Sequence, residues 1–91
     1  MVSGVFGIFD SKACSYGQPF FAQNRGAAQR AIGMQLRHDT KSIFCQYPAD
    51  FALYDLGYFD DEDGLFVTKS PVFVINVSDL MEGSNAQQPE C

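Results

Sequence analysis

With 91 residues, 11 acids against 6 lysines and arginines, and a net charge of −5, the chain has room for one domain. That balance excludes a uniformly basic coat for nucleic acid, so any contact with DNA has to be local. No apolar run reaches membrane-spanning length, and Met1 to Phe9 lacks the basic flank and cleavage site of a signal peptide, so a soluble intracellular protein is expected.

The charge is unevenly spread. Residues 1–45 carry Lys12, Arg25, Arg30, Arg37 and Lys41 against Asp10 and Asp39, a net of +3. Residues 46–91 carry Lys69 against nine acids, a net of −8. Such a dipolar chain suits contact with protein as well as a local basic patch. Nine Phe, four Tyr and no Trp imply a phenylalanine-rich core. A domain this small buries roughly 60–65% of its unfolded surface, so self-association into a homo-oligomer is expected to support it. Three cysteines, Cys14, Cys45 and Cys91, form no metal motif and read as reduced thiols.

In chain order, Val2 to Asp10 reads as a strand. Val5, Gly7 and Phe9 lie on one face, Phe6 and Ile8 on the other, and apolar residues on both faces predict a central position. A polar loop runs from Asp10 through Pro19, and Phe20 to Ala22 reads as a short strand. Asn24 is placed to cap a helix over RGAAQRAIGMQLRH, whose Ala28, Ile32 and Leu36 form a narrow apolar stripe. Gly26 and Gly33 each cost about 1 kcal/mol against Ala, so this helix depends on packing. Ser42 to Gln46 has no clear state, and Pro48 to Asp50 reads as a turn or single helical turn.

Ala52 to Asp60 and Leu65 to Thr68 read as a hairpin closed by the acidic loop Asp60-Asp61-Glu62-Asp63-Gly64. Lys69-Ser70-Pro71 reads as a break before a separate strand, Val72 to Val77. The tail from Met81 is polar and expected to be disordered, which leaves one domain over residues 1–80 and a tail over 81–91. The fold expected is α+β: a small, mainly antiparallel sheet with one helix packed on a face, in the order β-(β)-α-β-β-β.

Candidate chemistry is sparse. Aligning Gly64 with the glycine of a calcium loop puts Phe59 and Ser70 at ligand positions, so no metal site is expected. One histidine, His38, and no serine or cysteine in a nucleophile context leave no catalytic residues, and no phosphate loop or other cofactor motif occurs. The basic segment is the better candidate. Lys12, Arg25, Arg30, Arg37 and Lys41, with the rings of Tyr16, Phe20 and Phe21, fit a surface that tracks phosphates and stacks bases of single-stranded DNA. The plain alternative is a solvated helix face with the phenylalanines in the core.

Two segments carry a family resemblance. Asp10, Lys12, Ala13, Tyr16, Gly17, Pro19 and Phe20 form D-x-K-A-x-x-Y-G-x-P-F, and Pro48 to Asp61 form P-x-D-F-x-L-Y-x-L-G-x-F-D-D. The chain resembles the nonstructural protein of gokushovirus-type microviruses, which are small single-stranded DNA phages, over about residues 5–78. The resemblance implies a non-enzymatic accessory factor in viral DNA synthesis, at the change from double-stranded replication to single-stranded genome production and packaging. It also implies a host-cytoplasmic protein absent from the mature virion. Two modes of action stand: contact with single-stranded DNA through the basic patch, or contact with the replication initiator, the procapsid or a host factor without touching DNA.

Overall fold

The first strand organises the sheet. In the computed structural model, which describes residues 1–83, β1 spans Val2–Asp10 and has neighbours on both sides. On one side it pairs antiparallel with β2 (Ser15–Tyr16) and β3 (Phe20–Ala22). On the other it pairs with β4 (Phe51–Asp60), which in turn pairs with β5 (Leu65–Asn76). The central position expected from its two apolar faces is therefore observed, and every pairing is antiparallel.

Helix α1 (Arg25–His38) lies on one face of the sheet. Its start is fixed by Asn24, whose side-chain Oδ1 accepts the Ala27 N–H at 2.8 Å. Ala28, Ile32 and Leu36 point from it into a core completed by Phe6, Leu53 and Phe51 from the sheet. Cys45 joins the core from α2 (Ile43–Gln46), and Val77 from α3 (Val77–Gly83). Pro48–Asp50 is a single 3-10 turn with proline at its start, as expected.

Three elements depart from the sequence reading, and a fourth, left open there, is now assigned. Ser15–Tyr16 leaves the polar loop to pair with Phe9 and Asp10. Ile43–Gln46 is helical and capped by Ser42, whose hydroxyl accepts the Cys45 N–H at 3.3 Å. Pro71 does not end a strand: β5 runs through it, because the register shift between Asp55 and Gly57 opens a bulge there on an edge strand. Val77 begins α3 rather than ending β5, since burial in the core outweighs its β-branched preference. α3 extends to Gly83, and the rest of the tail expected to be disordered lies outside the described residues.

Gly57 is the strained point of the sheet. Its φ is +134°, and a Cβ there would fall 2.1 Å from the Val67 carbonyl oxygen. Glycine alone tolerates both. Cys14 is a free, exposed cysteine and Cys45 is buried in the core, while Cys91, the third of the expected thiols, lies outside the described residues. No helix among the described residues is long and apolar enough to cross a membrane.

Candidate functional site

The five candidate cations and the candidate rings occupy different parts of the molecule. Arg25, in the first turn of α1, reaches across to β4 and bonds Asp55 Oδ2 through Nε at 3.2 Å and Nη2 at 3.1 Å. Lys69 Nζ binds the same oxygen at 3.2 Å, while Asp55 Oδ1 accepts the Gly57 N–H at 3.0 Å. Burial pushes the Asp55 carboxyl up, but the Gly57 N–H, Lys69 and Arg25 outweigh it and hold the pKa below the ordinary 3.8. Arg25 is thus committed to the fold.

Lys12 sits in the turn after β1, where the Asp10 side chain accepts the N–H groups of Lys12 and Ala13. It lines a shallow cleft of about 290 Å³ together with Asp10 and Asp50. Arg30, Arg37 and Lys41 are exposed and form no ion pair among the described residues. Arg30 and Arg37 stand on the side of α1 opposite its buried Ala28–Ile32–Leu36 stripe, facing away from the sheet. Asp39, the C-cap of α1, separates Arg37 from Lys41.

The rings lie mostly on the other side. Cross-strand register puts Phe6, Ile8 and Leu53 on the face under α1, and Val5, Gly7, Phe9 and Tyr54 on the outer face. Tyr16 packs there at 4.9 Å from Phe9 and 5.5 Å from Tyr54, and Phe73 stands 5.9 Å from Tyr54. A second group at the far end of the same face joins Phe21, Phe59 and Phe66 at 4.8–6.3 Å. Phe20 instead turns inward against Phe6. Of the expected set, only Tyr16 and Phe21 share a surface, and no candidate arginine shares it with them.

Five outer-face rings lie outside the candidate set: Phe9, Tyr54, Phe59, Phe66 and Phe73. The alternation in VSGVFGIFD holds part of the signal, but register across β1, β4 and β5 is needed to assemble it. On the helix side, a groove of about 610 Å³ runs between α1, α2 and the β1–β2 edge. Ile8, Phe20, Phe44 and Phe51 supply its apolar lining, and Asp10, Gln18 and Gln35 are among its polar members.

The acidic loop is also engaged. Asp61 Oδ1 lies 2.6 Å and Glu62 Oε2 3.4 Å from the Met1 amino group, and Asp60 Oδ1 accepts the Glu62 N–H at 3.0 Å. Gly64, with φ +72°, closes the turn by donating its N–H to the Asp60 carbonyl. His38 is exposed in the last turn of α1.

Comparison with known proteins matches the family model described as "Phage ORF5 protein" over residues 3–80. The chain belongs to the Phage ORF5 family. It is 34% identical over 90 residues to Protein ORF5 of Chlamydia phage 1, covering 93% of this chain and 94% of that protein. The resemblance read from the Asp10–Phe20 and Pro48–Asp61 segments is therefore borne out at the level of the family. No solved structure matches the chain.

Proposed function

We propose that this phage protein is a non-enzymatic accessory factor in viral DNA synthesis, made in the host cytoplasm and absent from the mature virion. It works at the change from double-stranded replication to single-stranded genome production and packaging, and it does so by contact with phage replication or procapsid proteins. The role in DNA synthesis rests on the family resemblance.

The preference for protein contact rests on one observation. Single-strand binders interleave cations with stacking rings on one surface, because phosphates and bases of the same strand must be met together. Here Arg25 is bonded to Asp55, Lys12 shares a cleft with two acids, Arg30 and Arg37 project from the helix away from the outer-face rings, and Lys41 lies in the turn beyond the helix. A second reading, direct contact with single-stranded DNA, is favoured by the exposed and unpaired state of Arg30, Arg37 and Lys41 among the described residues. Three phosphate contacts on a single strand give a log–log salt slope of only about −2. A surface limited to three cations holds DNA weakly.

Immunoprecipitation from infected host cells, with and without nuclease digestion, tests the proposal. Recovery of a phage replication or procapsid protein at unchanged yield after digestion is expected. Loss of that protein on digestion would contradict the reading and point to a DNA tether.

A further inference from the structure

We propose that the outer face of the sheet is a homodimer interface, on which a second copy of this chain stacks face to face with its strands reversed. The inference is independent of the role in DNA synthesis. The face has seven rings, with Val5, Gly7 and Leu56 between the two groups. Among the described residues no Lys, Arg, Asp or Glu occupies an outward position on it: Asp10, Asp55 and Asp60 all alternate to the helix side, and Lys69 is bonded to Asp55. Elsewhere the surface belongs to a chain of net charge −5. Two copies therefore meet without opposing like charges through this face, whereas a nucleic acid would find no cation on it.

The size of the patch suits a second copy. Phe21, Phe66 and Phe73 are 56%, 58% and 50% exposed, and Tyr16 is 41% exposed. At roughly 150–250 Å² per ring, these four leave on the order of 400 Å² in water, beyond what single scattered side chains expose. With the half-buried Phe9, Tyr54 and Phe59 and the intervening aliphatics, the face approaches the ~800 Å² per partner of a standard interface. Stacking two such sheets about 10 Å apart gives four layers, helix–sheet–sheet–helix, and closes the face that α1 leaves bare.

Charge selects the direction. Val2 pairs with Asp60 and Asp10 with Phe51, so the acidic hairpin loop and the Lys12 turn lie at opposite ends of the β1–β4 ladder. A two-fold axis along the strands would bring the two acidic loops together. An axis across the strands places each loop beside the partner's Ser11–Cys14 turn, and lays the Phe21–Phe59–Phe66 group over the partner's Phe9–Tyr16–Tyr54–Phe73 group. Only the second avoids the repulsion.

Sedimentation velocity of the full chain over a concentration series tests the proposal. A dimer is expected, weakened at least tenfold by Phe66→Asp and by Phe73→Ser, both at half-exposed positions, with far-UV circular dichroism unchanged as the check on folding. A chain monomeric at every concentration, or a dimer indifferent to both substitutions, overturns the interface. Direction is read by oxidising Asp63→Cys and mapping the crosslink: a bond between position 63 and the exposed Cys14 of the other copy is expected. A bond between the two copies of position 63, or no bond from 63 to 14, overturns the reversed arrangement.

Discussion

Arg25 and Asp55, thirty residues apart, are joined at 3.1 Å across the junction of α1 with β4, and Lys69 shares the same carboxylate oxygen. An arginine placed to track phosphate is instead a tie between helix and sheet. Because Asp55 is largely shielded from water, its carboxylate is compensated on both oxygens. Removing it leaves Arg25 and Lys69 without their partner and the Gly57 N–H without its acceptor.

Asp55→Asn is therefore expected to cost about 1–2 kcal/mol of unfolding free energy at neutral pH, since the two cations are half exposed and solvate in part. The pKa of Asp55 is lowered in the fold, so its contribution is complete above the unfolded value of 3.8 and is lost as pH falls through the folded one. Urea unfolding of both proteins should show a constant gap down to about pH 5 that closes in more acid solution. A gap that widens in acid would contradict the assignment.

Gly57 and Gly33 should respond oppositely to alanine. At Gly57 the positive φ and the 2.1 Å approach to the Val67 carbonyl oxygen make Gly57→Ala cost at least about 3 kcal/mol, a large share of a small domain's stability. Gly33 lies in the interior of α1, where a Cβ would meet nothing within 4 Å, so Gly33→Ala should gain about 0.5–1 kcal/mol. Midpoints of chemical denaturation read both.

Asn24→Ala should cost about 1 kcal/mol, because the Ala27 N–H loses its acceptor at the start of α1. Asn24→Ser retains an oxygen there and should recover most of the loss. Thermal unfolding of the pair separates loss of the cap from a change in packing.

Much of the fold was legible. Asn24 ahead of the Ala28–Ile32–Leu36 stripe marked α1, and the acids before Gly64 marked the hairpin. Local signals misled where a distant contact decided. Pro71 reads as a break because its tolerance depends on an edge position and a bulge opposite Leu56. Ser15–Tyr16 becomes a strand only through Phe9 and Asp10, and Val77 turns helical where the core receives it. The candidate site failed for the same reason. The spacing of Arg30 and Arg37 was visible, but the commitment of Arg25 to Asp55 and the gathering of rings from positions 9 to 73 required the sheet register.

The most direct measurement is fluorescence anisotropy of a labelled single-stranded oligonucleotide with the full chain, at low and at physiological salt. No saturable binding in the micromolar range at physiological salt is predicted, and Arg30→Glu, Arg37→Glu and Lys41→Glu combined should leave the titration unchanged. Sub-micromolar binding that weakens with salt and is abolished by those three substitutions would contradict the account and make α1 a DNA-contacting surface.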